Sequence, residues 1–374
     1  MKTGHSVMGR RPTRLGRHAG VLRWLTPPLL VGLSALTAPR SSALPAAPTS
    51  ALVAPTPLRI FWVDVEGGAA TLVVTPAGES VLIDAGNPGG RDARRIQRVA
   101  TEAAGLRRID HLVVTHFHRD HFGGVAELAR LLPVGTLHER DLARAPEQER
   151  AQPELADYGA AAASRRARIS PGDRLPLEQR RGAPPVRLEV LGGDGQFPKR
   201  GARANSGPCA ESTPKGPDES DNRNSLVVRL SFGAFSFFDG GDLTWEAEAR
   251  LACPEDGTGG PVDVAQVDHH GLDTSNNPVL LRSLRPAVVV VNNGPRKGNE
   301  PGTFATLKDL PGLRAVYQLH RNLRSPESNV EAARIANEDE DCGGHFVRLE
   351  VDPDGRAYEM WVPSTGHRAR YHSR

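Results

Sequence analysis

Short apolar runs, most of them ended by polar or glycine residues, divide the chain into segments of strand length. They predict strands at 58–65, 70–75 and 80–83, and the turn at 76–79 joins the last two as a hairpin. Between Arg91 and Ala104 apolar residues recur at helical spacing, and a glycine follows where such a helix would end. The first part of the chain is thus predicted to form sheet strands followed by a helix.

The rest of the chain repeats this alternation of strands and helices. A polar stretch at 199–224, rich in Gly, Ser, Pro and Asn, interrupts it and predicts a long loop. The predicted strands lie at 109–115, 186–191, 226–230, 234–238, 262–267, 287–291 and 315–319, and the predicted helices at 125–132, 243–251 and 278–284. Strands that alternate with helices indicate a layered α/β domain.

One strand end carries a dense cluster of potential metal ligands. The strand 109–115 is followed by His116, His118, Asp120 and His121, which form the pattern HxHxDH. Neutral imidazoles and a carboxylate suit zinc and similar ions. A turn between a strand and a helix lets such side chains converge outside the sheet, so the sequence predicts a metal site here rather than a solvated turn.

Other polar residues also stand at the ends of apolar strands. Asp84 follows one such run, Asp242 follows another through Gly240 and Gly241, and the pair His269-His270 ends a third. Taken singly, an aspartate at a strand end is usually a turn or cap residue. Their joint spacing around HxHxDH makes them candidates for the same site.

Composition and charge describe a soluble globular protein with a separate leader. The 374 residues carry a formal net charge of +3, but the first 50 hold seven basic residues and no acidic one. A basic start, an apolar stretch at 24–38 and a small-residue exit predict an export signal and leader at 1–47 and a linker at 48–57. The folded domain is then predicted at 58–363, with a basic tail at 364–374. We therefore expect a periplasmic or extracellular protein with no transmembrane helix after processing.

Removal of the leader changes the charge argument. It leaves 40 basic against 44 acidic residues, a net charge of −4, so the basic charge of the whole chain is no sign of nucleic-acid binding. The three cysteines, Cys209, Cys253 and Cys342, form no CxxC pair and predict no cysteine-based zinc site. Two of them could be bridged, and the sequence leaves the pair open.

These motifs together resemble those of the metallo-β-lactamase superfamily, over about residues 58–295. The matching features are Asp84, the HxHxDH cluster at 116–121, Asp242 and His269-His270, in that order. The resemblance implies a four-layer αββα sandwich with the site at the shared edge of two sheets. Within the superfamily the chain looks most like the nuclease-like domain of ComEC-type DNA-uptake proteins, on the segments 64–70, 222–228, 241–242 and 269–271.

The resemblance also implies a ligand set for one or two divalent ions, zinc first and manganese as the alternative. His116 and His118 would hold one ion, Asp120, His121 and one of His269 and His270 the other, and Asp242 would bridge them. His270 is preferred because a glycine follows it. A metal-bound hydroxide would be the nucleophile, Asp120 would orient it as the catalytic residue, and Asp84 would fix a ligand histidine.

The chain departs from the family pattern at one ligand. No histidine occurs between His138 and His269, so the position of His116 and His118 lacks its usual third imidazole. Water, substrate or Asn224 would complete it, or it would stay empty. Arg296 and Lys297 are candidates to meet an anionic substrate, and His320 to face the cleft.

Three functions follow from the sequence. The first is an exported metal-dependent hydrolase of phosphodiesters, and the second is a hydrolase of a small lactone, thioester or lactam. The third is a metal-bound binding module without turnover. The oligomeric state is not specified by the sequence, and a nucleic-acid partner finds no support in the charge of the processed chain.

Overall fold

Two β-sheets form the centre of the protein. The computed structural model describes residues 56–161, 165–198, 209 and 213–374. Within these residues the strands, numbered β1 to β16 in chain order, are Leu58–Val63, Thr71–Val74, Ser80–Ile83, Ile109–Val114, Val134–Glu139, Arg166–Arg168, Val186–Gly192, Val227–Phe232, Phe235–Asp239, Val264–Gln266, Val288–Val291, Ala315–His320, Ile335–Asn337, Phe346–Val351, Ala357–Val362 and His367–His372.

Each sheet joins an antiparallel part to a parallel part. The first has the order β16-β15-β14-β1-β2-β3-β4-β5-β6 and is parallel from β3 to β6. The second has the order β13-β12-β11-β10-β9-β8-β7 and is parallel from β9 to β13. Since parallel strands end on the same side of a sheet, the residues that follow β3, β4, β9 and β10 can meet at one edge.

The two sheets pack face to face and helices cover their outer faces. Along β1, Ile60 and Trp62 point into the apolar layer between the sheets, while Phe61 and Val63 pack on the helical side. Successive side chains of a strand alternate between faces, so a strand covered on both faces is apolar at nearly every position. The result is the predicted αββα order of four layers.

The helices are divided between the two outer layers. The α-helices of the described residues are Arg91–Arg98, Arg119–Phe122, Val125–Leu131, Glu147–Arg150, Glu154–Ala161, Trp245–Ala252, Pro278–Leu284 and Pro301–Lys308. Apolar residues of 93–132 pack with the first sheet, and those of 243–284 with the second. The predicted helix 91–104 is confirmed in extent, but its second half, Val99–Ala103, is a π-helix.

The structure differs from the predicted organisation at the C-terminus. Residues 367–372, assigned to a basic tail, form the edge strand β16, which pairs with β15 from His367 opposite Val362 to His372 opposite Ala357. The apolar residue that anchors this strand is Tyr371, which stacks on Tyr358. The basic residues of β16 alternate with inward-facing residues and point to solvent. The sequence of this strand is therefore similar to that of a solvated basic tail.

The predicted leader, most of the predicted linker and half of the predicted loop lie outside the described residues. Within the described residues, no helix is both long enough and apolar enough to cross a membrane. A disulfide joins Cys209 to Cys253, and Cys342 is the free cysteine.

Candidate metal centre

Polar strand ends from both sheets converge at one edge of the sandwich. Asp84 follows β3 and the HxHxDH cluster follows β4 in the first sheet, whereas Asp242 follows β9 and His269-His270 follow β10 in the second. The backbone has an unusual conformation at three of these residues, since Asp84, His269 and His270 have φ values of 60°, 51° and 55°. Left-handed backbone at residues other than glycine is concentrated at functional sites.

Four ligand atoms form the first group, which we call the rich position: Asp120, His121, Asp242 and His270. These atoms all lie within 4.8 Å of one another. The Nε2 atoms of His121 and His270 are 3.1 and 3.2 Å from Oδ2 of Asp242. Oδ2 of Asp120 lies 3.3 Å from Nε2 of His270 and 3.7 Å from Nε2 of His121. Two imidazoles and two carboxylates thus face a common point.

The second group, which we call the poor position, has three ligand atoms from His116, His118 and Asp242. Nε2 of His116 is 3.9 Å from Oδ2 of Asp242, so the same carboxylate takes part in both groups. Nε2 of His118 lies 3.2 Å from Oε1 of Glu149. A proton on that nitrogen leaves the lone pair of Nδ1 for a metal.

Asp84 and Thr115 fix the orientation of two of the histidines. Nδ1 of His121 lies 2.7 Å from Oδ2 of Asp84, which also accepts a hydrogen bond from the Thr115 hydroxyl, while Oδ1 of Asp84 accepts one from the Thr115 backbone N–H. The Thr115 oxygen is 3.1 Å from Nδ1 of His116. Protons on both Nδ1 atoms leave the Nε2 lone pairs directed at Asp242. Outer contacts of this kind set the tautomer of metal-binding histidines.

A glycine permits this arrangement to form. Gly241, between the strand end and Asp242, has a φ of 58°, and a Cβ there would lie 3.0 Å from the Thr115 hydroxyl oxygen. A larger residue would therefore be strained and would push against the hydroxyl that holds Asp84.

The electrostatics of the centre favour a cation. Burial, followed by the neighbouring His121 and His118, lowers the pKa of His116 well below its ordinary value. Burial also opposes charge on His121, but Asp242, Asp84 and Asp120 raise its pKa well above the ordinary value. Against the effect of burial, His121 and then His270 hold the pKa of Asp120 and of Asp242 well below their ordinary values. In the metal-free protein a proton on His121 balances the carboxylates, and a metal would replace it.

The donor set fits a divalent metal. Within the described part of the chain, Nε2 of His116 and Oδ1 of Asp242 are buried without a hydrogen-bond partner. Leaving such atoms unpaired costs roughly 1–3 kcal/mol each, and an ion between them would satisfy both. The ligand types are those of zinc and related ions.

The two adjacent histidines have different surroundings. His270 is fully buried in the rich position, whereas Nε2 of His269 lies 3.6 Å from Oδ2 of Asp242 and 3.3 Å from the side-chain nitrogen of Asn222. Burial lowers the pKa of His269 to about 4, so its ring is neutral. Asn224, the candidate extra ligand, instead donates a hydrogen bond to Asp221.

The remaining sequence candidates separate in space. The ammonium of Lys297 contacts Oδ2 of Asp120 at the rim of the centre. Arg296 instead pairs with Glu340, through contacts of 2.6 and 2.8 Å. His320 groups with Asp64 and Cys342 rather than with the ligands of this centre.

Sequence reasoning missed Glu149 and Asn222 as neighbours of the centre. Glu149 belongs to the short helix Glu147–Arg150, in a region for which no strand or helix was predicted. A lone glutamate in such a segment gives no local signal. Asn222 stands two residues before Asn224 in the same predicted loop, and only the fold decides which amide faces the histidines.

Comparison with known proteins supports a family. Residues 63–209 match the family model for the metallo-beta-lactamase superfamily. Recombination protein 2 of Haemophilus influenzae is 37% identical over 115 residues, 31% of this chain and 13% of that protein. Competence protein ComA of Neisseria gonorrhoeae is 25% identical over 230 residues, 61% of this chain and 26% of that protein. ComE operon protein 3 of Bacillus subtilis is 24% identical over 200 residues, 51% of this chain and 21% of that protein. The chain thus spans about a quarter or less of these relatives.

Solved structures with some likeness include the metallo-beta-lactamase fold protein YhfI of Bacillus subtilis, at 11% identity and a TM-score of 0.43 over 70% of this chain and 96% of that one. Another is CmlA of Streptomyces venezuelae, described as a diiron beta-hydroxylase, at 16% identity and a TM-score of 0.40 over 70% and 53%. The family model, the relatives and the two-sheet architecture agree. The chain therefore contains a domain of the metallo-beta-lactamase superfamily.

Proposed function

We propose that this protein is a metal-dependent hydrolase of phosphodiesters. The observation that carries the proposal is the single Asp242 carboxylate shared by two groups of ligand atoms. Paired metal positions that share a ligand are common in enzymes that cleave phosphate esters, because two ions can stabilise the attacking and leaving oxygens.

The chain's own residues would divide the work as follows. A divalent ion held here supplies Lewis acidity and lowers the pKa of nearby water. Asp120 would accept a hydrogen bond from that water and orient it, since its carboxylate lies between His270 and Lys297. Asp84 would keep His121 in the tautomer that binds.

The position of Lys297 supports the proposal that the substrate is an anion. Its side chain is 40% exposed, and it contacts Asp120 from the open side of the centre. Once a metal neutralises Asp120, the ammonium is free to pair with a phosphate oxygen. Replacing Lys297 with Met should raise KM for a phosphodiester more than it lowers kcat, whereas a neutral lactone should be little affected.

A cavity beside His269 offers room for the rest of the substrate. It has a volume of about 450 Å³ and is lined by residues that include Lys215, Asn222, Trp245 and His269. The ammonium of Lys215 lies 3.4 Å from the centre of the Trp245 ring. A flat aromatic face beside a cation is suited to a base or aryl group linked to a phosphate.

The names of the relatives, which refer to competence and recombination, favour a nucleic acid or its fragments as the phosphodiester. The net charge of −4 without the leader opposes tight binding of long duplexes. We therefore propose short or single-stranded fragments as the substrate rather than duplex DNA.

The test is a substrate panel on protein first stripped of metal and then loaded with zinc or manganese. We expect hydrolysis of bis(p-nitrophenyl) phosphate and of oligonucleotides, and none of lactones or nitrocefin. Asp242→Asn should abolish this hydrolysis, and Asp309→Asn, which removes an exposed carboxylate that belongs to neither group of ligand atoms, is its control. Turnover of the carbonyl substrates alone would replace the proposal with the second function, and binding of metal without any turnover would replace it with the third.

We also propose that the protein is exported. The support is the basic, acid-free leader and the disulfide between Cys209 and Cys253, a bond that persists in oxidising compartments. Fractionation of cells that express the tagged full chain should place a shortened product outside the cytoplasm. A full-length product in the cytoplasm would refute export.

A further inference from the structure

A second cluster of metal-binding side chains lies outside the centre described above. It is formed by Asp64 after β1, His320 at the end of β12, and Cys342 in the segment that leads to β14. Their ligand atoms all lie within 4.8 Å of one another. These residues are far apart in the sequence, so their meeting is a product of the fold.

The imidazole of His320 is the most informative member. The side chain is fully buried, and its Nε2 is without a hydrogen-bond partner within the described residues. Its Nδ1 lies 3.4 Å from the carbonyl oxygen of Arg321, a weak contact that favours a proton on that nitrogen. The lone pair of Nε2 then points into the cluster. A buried nitrogen left in this state costs roughly 1–3 kcal/mol, which a bound cation would recover.

Asp64 and Cys342 complete a donor set of nitrogen, oxygen and sulfur. The Asp64 side chain is fully buried, and its Oδ2 accepts a hydrogen bond of 3.2 Å from the Cys342 thiol. Cys342 itself is partly exposed. An ion from solvent can therefore reach the sulfur first, and the buried imidazole and carboxylate lie behind it.

Arg95 lies against the same cluster, and its charge is balanced from elsewhere. Its guanidinium nitrogens are 3.1 Å from Oδ2 of Asp64, 3.5 Å from the sulfur of Cys342 and 2.9 Å from Oε1 of Glu66. Glu66 also contacts Arg91, which is paired in turn with Asp92, so the charges of these four side chains cancel. The carboxylate of Asp64 and a thiolate at Cys342 would then together balance one divalent ion. Arginine would then act as an outer donor to two ligands, which is a usual role for a second layer around a metal.

We propose that Asp64, His320 and Cys342 form a separate binding site for one thiophilic divalent cation, with zinc as the preferred ion. Thiolate, imidazole and carboxylate are all established zinc ligands, and the thiolate distinguishes this site from the nitrogen and oxygen donors of the rich and poor positions. The ion would tie the ends of β1 and β12 to the segment before β14.

Cobalt binding to the full chain provides a direct test. Cobalt bound by a thiolate gives a charge-transfer band in the near ultraviolet, and Cys342 is the one thiol outside the disulfide. Metal-free protein, kept without added thiols, should show this band on addition of cobalt. Cys342→Ser should abolish it, and His320→Ala should weaken binding at least about tenfold, since even outer contacts to a metal are worth that much.

Two controls separate this site from the proposed centre. His345→Ala removes an exposed imidazole close by in sequence and should leave the band unchanged. Asp242→Ala, which disrupts the proposed hydrolytic centre, should also leave it unchanged. A band lost in Asp242→Ala but kept in Cys342→Ser would overturn the proposal, as would the absence of any band in the unaltered protein.

A measurement on the unaltered protein guards against variants that fail to fold. Zinc should slow the reaction of Cys342 with a disulfide reagent such as DTNB by at least about tenfold, because a bound thiolate is a poorer nucleophile. An unchanged rate at saturating zinc would refute the site. Neither outcome depends on whether the protein hydrolyses a phosphodiester.

Discussion

The rich and the poor position share Asp242 but differ in the support around them. The rich position has four ligand atoms, and His121 is held by Asp84 at 2.7 Å. The poor position has three, and His118 is 26% exposed, with its Nε2 3.2 Å from Glu149. A metal is held more tightly where more ligands are fixed in advance, because less freedom is lost on binding. We therefore expect two unequal affinities, with the poor position the first to empty.

This contrast follows from which strand ends meet. His116 and His118 come directly after β4 and are grouped with Asp242 from the second sheet, whereas Asp120 and His121 are grouped with both Asp242 and His270. The missing histidine between His138 and His269 thus affects one position only. The difference between the positions can be tested residue by residue.

The largest effect is expected from Asp242→Ala, which removes the carboxylate common to both positions. Both metals should be lost, and phosphodiester hydrolysis should fall by more than about 100-fold, because even outer contacts to ligands contribute about 10- to 100-fold. Elemental analysis of the purified variant and its turnover rate measure this, with Asp309→Asn as the control. Two metals retained per chain would contradict the shared role of Asp242.

A paired comparison of His118→Ala and His270→Ala should separate the positions. Titration of the metal-free protein should show a tight and a weak step. His118→Ala should remove the weak step and keep the tight one, while His270→Ala should remove the tight step. The reverse pattern would show that the poor position has been misjudged. His345→Ala serves as the imidazole control and should keep both steps, because His345 is exposed and belongs to neither group of ligand atoms.

A smaller effect is expected from Asp84→Asn, which keeps the size of the side chain but removes its charge. The imidazole of His121 would lose the carboxylate that orients it, so the tight step should weaken about 10- to 100-fold. The weak step should change less, since Asp84 reaches His116 only through Thr115. Isothermal titration with zinc measures both steps. Equal weakening of the two would show that Asp84 acts on the centre as a whole.

The smallest effect on the metal positions is expected from Asp239→Asn. Burial raises the pKa of Asp239 from 3.8 to about 7, with further effects from its charged neighbours. Between about pH 4 and 7 the folded protein therefore holds a proton that the unfolded chain has released, and stability falls as pH rises through this window. Asn lacks this slope, so the variant should gain stability relative to the unaltered protein from pH 4.5 to 7.

Urea unfolding of metal-free protein at both pH values measures that difference. Both metal positions should still fill in Asp239→Asn, since Asp239 belongs to neither group of ligand atoms. A stability difference that is constant with pH would show that Asp239 is ionised throughout. This outcome would also mean that Asp239, at the end of β9, carries a full negative charge close to Asp242.

Much of the fold was predictable because its signals are local. The hairpin at 71–83, the helix Pro278–Leu284 and the strands before each polar strand end were predicted close to their observed bounds. The strands Val134–Glu139 and Arg166–Arg168 were not predicted. The first lies in a segment where apolar and polar residues do not alternate clearly, and the second is short and largely exposed. The first is defined by its pairing with β4 and the second by its pairing with β5, and a linear pattern does not report such pairing.

The sequence by itself determined the HxHxDH turn, the polar strand ends and the absence of a third histidine, because these depend on residue type and spacing along one segment. The sequence only favoured His270 over His269, and the tertiary structure puts His270 in the rich position. Tertiary structure alone decided that Glu149 meets His118. It also brought Cys342 to Asp64 and His320, across more than 250 residues in the first case. The physical reason is that two adjacent residues have the same sequence context but point their side chains in different directions. Those directions are set by how the two sheets pack at their common edge.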